Sequence, residues 1–174
     1  MRKILWVAFL VSLFPLGSPS AVPSELSPEG WGATKIGMTP TEVEKSLGLK
    51  LTLSTAARGS DSCIDAWVGN VRAPKPPVSF RFVDGRLAVI GLRDNSIATD
   101  KGIRIGDPES KVLEAYGPNL KREPAPYFDA TDPQHNLYFW LSANRGLLFW
   151  IDEHGKVHSI QAGTKALELI EGCA

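Results

Sequence analysis

Ile36-Gly37-Met38-Thr39-Pro40-Thr41-Glu42-Val43-Glu44-Lys45-Ser46-Leu47-Gly48 returns 69 positions later as Ile105-Gly106-Asp107-Pro108-Glu109-Ser110-Lys111-Val112-Leu113-Glu114-Ala115-Tyr116-Gly117, with Ile, Gly, Val and Gly in register. Each stretch reads as an extended residue, a turn, a Thr or Asp cap signal before Pro, a short amphipathic helix and a terminating Gly. In the first helix Val43 and Leu47 fall on one face at i, i+4, while Glu42, Glu44 and Lys45 point outward; in the second, Val112 and Tyr116 point inward. A period of this length implies two copies of one small supersecondary unit.

Strand signals follow each helix. Leu49–Ser54 and Cys63–Val68 read as strands around the turn-rich Ala57-Arg58-Gly59-Ser60-Asp61, and a loop containing Pro74, Pro76 and Pro77 comes next. Val78–Val83 and Arg86–Leu92 then form a hairpin on Asp84-Gly85, the strongest short hairpin signal in the chain. In the second copy Pro124, Pro126 and Pro133 break up the segment after the helix. Leu137–Leu141 and Leu147–Ile151 form a hairpin around Ser142-Ala143-Asn144-Arg145-Gly146, and Lys156–Gln161 returns across Asp152-Glu153-His154-Gly155. Helix followed by antiparallel strands, twice, predicts an α+β fold of two tandem repeats, spanning residues 31–97 and 98–174. Val22–Gly30 shows no apolar period and is expected to be a loose leader, with Trp31 opening the first unit as a core anchor.

The chain begins with a basic pair, Arg2 and Lys3, an apolar run Ile4–Leu16, and the small residues Gly17-Ser18-Pro19-Ser20-Ala21. This is the pattern of a cleaved signal peptide over residues 1–21. The run is shorter than the roughly 20 residues of an ordinary membrane span. No Cys follows it to take a lipid. A periplasmic or secreted product with no stable membrane anchor is therefore expected. Its loss leaves 17 basic against 19 acidic residues, a formal charge of −2. That balance argues against nucleic acid or an anionic membrane as the main partner, since both want clustered Lys and Arg.

Cys63 and Cys173 are the only cysteines. An even count in an oxidising compartment predicts a disulfide between them, fastening the first unit to the C-terminus. A redox pair usually lies closer in sequence, as C-x-x-C, and a metal site would need further ligands.

Lys35-Ile36-Gly37-Met38-Thr39-Pro40-Thr41-Glu42-Val43, followed by Leu47-Gly48, resembles the helix-opening motif I-x-x-G-M-T-x-x-x-V-x-x-x-x-G of the β-lactamase-inhibitor-protein-like fold. The same group includes the small lipoprotein subunit of the outer-membrane barrel assembly machine. The second copy, Ile103-Arg104-Ile105-Gly106-Asp107-Pro108 through Val112 and Gly117, fits with Asp-Pro where Met-Thr would be. The resemblance implies helix-plus-sheet units in tandem and a binding role across a concave sheet, and it carries no activity with it. The tandem inhibitors are the better match, because the assembly subunit has one copy and a lipid anchor.

The strongest functional signal is aromatic. Leu137-Tyr138-Phe139-Trp140-Leu141 and Leu147-Leu148-Phe149-Trp150-Ile151 are apolar on both strand faces, which a sheet covered on one side alone does not need. Pairing Leu141 with Leu147 collects Leu137, Phe139, Leu141, Leu147, Phe149 and Ile151 on one face and Tyr138, Trp140, Leu148 and Trp150 on the other. The Tyr/Trp face suits a protein partner. Burial of both faces is the competing reading, and aligning Asp84 with Asp152 would instead put Trp150 in the core. Trp67, two and four residues from Asp65 and Cys63, either extends this surface into the first unit or packs on the disulfide.

No G-x-S-x-G, phosphate loop or C-x-x-C is present, and no cofactor is implied. His154 and His158 lack the helical spacing of a zinc pair. Asp129, Asp132 and His135 in the Pro-rich loop read as turn formers before metal ligands. The residues therefore predict a non-enzymatic protein-binding module that inhibits or neutralises an envelope hydrolase or toxin, with an envelope assembly or housekeeping factor as the alternative. The expected partner-binding residues are Tyr138, Trp140, Trp150 and Trp67.

Overall fold

The computed structural model describes residues 25–54, 62–68, 77–129, 131–169 and 171–173. Residues 1–21, read above as a signal peptide, residues 57–61, read as a turn, and Pro74 and Pro76 lie outside them. Among the described residues no helix is long and apolar enough to cross a membrane.

The fold is α+β, with two short α-helices and two sheets among the described residues. Three short strands, β1 (Glu25–Ser27), β2 (Gly30–Trp31) and β3 (Thr34–Lys35), lead into helix α1 (Pro40–Leu47). A meander follows: β4 (Leu51–Leu53), β5 (Cys63–Val68), β6 (Val78–Val83) and β7 (Arg86–Leu92). The pair β8 (Ala98–Thr99) then precedes helix α2 (Glu109–Tyr116) and a second meander of β9 (Leu120–Pro124), β10 (His135–Ser142), β11 (Arg145–Ile151) and β12 (Val157–Gly163). The two meanders join through antiparallel β7 and β12 into one eight-stranded sheet, ordered β4-β5-β6-β7-β12-β11-β10-β9. β1 pairs β2 and, in parallel, β8, closing a small second sheet of order β3-β2-β1-β8. Glu25–Ser27 thus forms a strand where a loose leader was expected, because Leu26 has a core site and becomes fully buried.

Thr39 caps α1 as expected: its hydroxyl accepts the Glu42 amide while the Glu42 carboxylate accepts the Thr39 amide at 2.7 Å. Those bonds satisfy orphan donors of the first turn. Gly48 ends the helix in the left-handed region. In α2 the Asp does not cap. Asp107 Oδ2 instead accepts the Arg104 amide at 2.7 Å and the Lys111 ammonium at 2.8 Å, and Pro108 takes the cap position without a side-chain bond. Val43 and Val112 both point into the core and are fully buried.

Both helix entries are stitched to the sheet in one manner. Gly37 N–H donates to Leu87 C=O and Leu87 N–H to Met38 C=O; Gly106 N–H donates to Val157 C=O and Val157 N–H to Asp107 C=O. The core between helices and sheet gathers Val43, Phe80, Phe82, Leu87, Val112, Tyr116, Phe149, Ile151 and Ile160, among others. Trp31 packs against this core from a half-buried position, so it supports the core from its rim.

The Asp84-Gly85 hairpin is present, with both residues at positive φ (49° and 71°) as a two-residue primed turn requires. The β10–β11 hairpin differs from expectation by two residues of register. Phe139 pairs with Leu147 and Trp140 with Gly146, and an irregularity before Ser142 extrudes Leu141, which is 55% exposed. A two-residue register shift preserves faces. Leu137, Phe139, Leu147, Phe149 and Ile151 therefore still face the helices, and Trp150 does not enter the core.

Candidate partner-binding face

The opposite face of the large sheet is covered by neither α1 nor α2. Strand alternation places Asp65 and Trp67 of β5, Ser79 and Arg81 of β6, Val89 and Gly91 of β7, Ser159 and Gln161 of β12, Leu148 and Trp150 of β11, and Tyr138 and Trp140 of β10 on it. After β12 the chain makes a 3₁₀ turn at Lys165–Glu168, capped by the Thr164 hydroxyl. It then recrosses this face as a strap that ends in the disulfide Cys63–Cys173. The predicted cysteine pairing is thus present.

The strap divides the face. Beneath it Leu167 packs with Tyr138, Leu148, Ala88 and Val89 in a cluster separate from the main core. Tyr138, expected on an exposed surface, is only 6% exposed. Burial, and to a lesser degree the Glu123 carboxylate, push its hydroxyl pKa up. Tyr138 is consequently a residue of this minor core, an outcome hidden from strand periodicity because its cover comes from the C-terminal segment. Trp140 stacks parallel to Tyr138 at 6.2 Å and lies under the Lys165 ammonium, 3.9 Å from the ring centroid. It can lie flat because its cross-strand partner is Gly146, where a Cβ would fall 2.6 Å from the indole.

Trp150 is half-buried beyond the strap and meets His158 edge-on at 4.5 Å between centroids. Its indole N–H, buried, has no hydrogen-bond partner among the described residues. It borders two cavities. One, of about 530 Å³, runs over Ser79, Gly91, Ser159 and Gln161 toward Arg81, Arg93 and Lys156. The other, of about 330 Å³, lies between the strap and the loop Ala125–Phe128. Around this second cavity Tyr127, Phe128 and Leu169 are 80%, 38% and 47% exposed.

Trp67 shares the face but stands apart. Four strand spacings separate β5 from β11, about 19 Å. Its four-residue spacing from Cys63 sets their Cα atoms about 13 Å apart along the strand. Between them Asp65 binds Arg81 at 2.9 Å, and the Arg81 guanidinium lies against Gly172 of the strap, so that it would have to shift to admit a Cβ there.

The acidic and histidine residues weighed as ligands disperse. His135 is buried in β10, its Nε2 2.8 Å from the Glu109 carboxylate and its Nδ1 2.8 Å from the Pro133 carbonyl. Asp132 closes its own turn by accepting the Gln134 amide. Among the described residues no group of three His, Cys, Asp or Glu side chains is placed to hold a metal. The Glu109–His135 contact, joining the start of α2 to the sheet, was missed in the sequence for want of any motif. So were Arg81, whose only trace was the polar alternation of Val78-Ser79-Phe80-Arg81-Phe82, and Arg93, which follows β7 with no mark of its own.

These features define an α+β protein with one helix-covered and one largely open sheet face. No protein-family model and no curated protein matches the chain. Among solved structures, the crystal structure of the uncharacterized protein yfeY from Escherichia coli is similar over 83% of this chain and 99% of that one, at 15% identity and a TM-score of 0.48. That likeness says nothing about which residues act.

Proposed function

We propose that this chain is an exported protein-binding module, built as two copies of one helix-plus-sheet unit, that neutralises an envelope hydrolase or toxin through the sheet face covered by neither α1 nor α2. The repeat reading is supported by the paired stitches: Gly37, Met38 and Leu87 make the same two backbone bonds as Gly106, Asp107 and Val157. Export is supported by the basic, apolar and small-residue order of residues 1–21.

The observation that carries the binding role is Trp150. A half-buried Trp bordering two cavities and close to exposed Tyr127, Phe128 and Leu169 has the composition of an interface anchor. Immobilised mature protein should retain a specific partner from envelope extract, identified by mass spectrometry. Trp150→Ala should weaken that partner by about 2 kcal/mol or more. Equal affinity of wild type and Trp150→Ala for the captured protein would remove the face from the binding role.

A further inference from the structure

The larger cavity is a built groove with a sign. Its floor is made of Ser79, Gly91 and Ser159, small residues in the middle of an eight-stranded sheet where larger ones would fill the space. Four cationic or protonatable side chains line it: Arg81, Arg93, Lys156 and His158. Its two acids are both engaged. Asp65 is held by Arg81 at 2.9 Å, and Asp152 Oδ1 accepts the amides of His154 and Lys156 of its own turn, each at 2.9 Å. The Arg93 guanidinium and Lys156 ammonium have no ion pair among the described residues. A chain with a net formal charge near zero has thus set two unneutralised cations along one groove, with Trp150 as its apolar wall.

We propose that this groove receives an acidic, extended segment of the protein partner. The proposal rests on the protein-binding reading above and adds the chemistry of what is bound. From Asp65 on β5 to Trp150 on β11 the groove crosses about 19 Å, the reach of about six extended residues. Carboxylates on alternate positions would meet Arg93 and Lys156, and the intervening apolar side chains would meet Trp150. The fixed guanidinium fork of Arg93 pairs well with a carboxylate.

The test uses the mature protein, isotopically labelled, and a blocked hexapeptide alternating Glu and Leu, followed by amide chemical shifts. The peptide should move the amides of Ser79, Gly91 and Ser159. Its affinity should exceed that of the Gln/Leu counterpart by about tenfold or more and should fall with added salt. The double variant Arg93→Gln/Lys156→Gln, with an unchanged melting temperature, should lose about tenfold in affinity for the Glu peptide. Equal binding of the two peptides, shifts confined to other regions, or an unaffected double variant would overturn the proposal. Glutarate binding as tightly as the peptide would also overturn it, making the groove a site for small carboxylates. If the double variant keeps the envelope partner while Trp150→Ala loses it, the acidic segment is refuted and the protein-binding role stands.

Discussion

Phe149 and Trp150 are neighbours on β11 and live in different environments. Phe149 is fully buried, its ring 5.2 Å from Tyr116 of α2. Trp150 faces away from the helices, half-buried, beside His158 and the groove. One strand thus separates a core beneath α1 and α2 from a face covered only in part, by the 3₁₀ turn at Lys165–Glu168 and the chain near the disulfide. The difference shows that an aromatic residue's role here is set by what crosses above its strand face, and that cover is supplied by a segment remote in sequence.

The largest expected effect tests this contrast directly. Phe149→Ala should destabilise the protein by about 4 kcal/mol, since it leaves a cavity between α2 and the sheet. Trp150→Ala should cost clearly less stability and instead weaken partner binding. Denaturant melts of both variants, read beside affinity for the captured partner, separate the cases. Equal stability losses would place Trp150 in a core and break the division between faces.

Much of the helix-covered face was legible beforehand. Val43, Val112 and Tyr116 follow from a 3.6-residue period, and the Asp84-Gly85 turn from the demand for positive φ. Phe80, Phe82 and Phe149 fall on the helix side by strand alternation. The open face was less legible, for physical reasons. Alternation set Tyr138, Trp140 and Trp150 on one side, but it cannot say that Leu167 lies over Tyr138. Leu141 left its predicted place because an irregularity near a tight turn has no strong sequence mark. The cation groove depends on β7 meeting β12, a long-range pairing that juxtaposes Gly91 with Gln161.

The next effect concerns the strap. The Cys63–Cys173 bond closes a sequence separation of 110 residues, and its loss is expected to cost about 3 kcal/mol. Cys63→Ser/Cys173→Ser should also loosen the cover over Tyr138 and Leu148, whereas Val43 of α1 and Val112 of α2 should stay protected. Hydrogen exchange on the double variant reads this as faster exchange in β10, β11 and the 3₁₀ turn at Lys165–Glu168 than in β6. Uniform acceleration across both meanders would show that the bond supports the whole sheet and that the strap is not a local cover.

The smallest effect is a pH dependence at the rim of the groove, and it sharpens how the open face is held together. Burial pushes the Asp152 carboxyl upward, but the amides of Lys156 and His154, each 2.9 Å from Oδ1, and the positive fields of His154 and His158 outweigh it and hold the pKa below the ordinary aspartate value. A carboxyl depressed on folding contributes stability that is present above its unfolded pKa, about 3.9, and is lost as pH falls through the folded value. Acidification below about pH 4 should therefore loosen the β11–β12 turn, which carries Lys156 and leads into His158. Asp152→Asn keeps an acceptor oxygen but no charge, so it should lower the melting temperature at neutral pH by about 2 °C and flatten the acid limb of the stability curve. If Asp152→Asn reproduces the wild-type acid limb, the charge at Asp152 does not hold this turn, and its stability comes from backbone pairing with β11 alone.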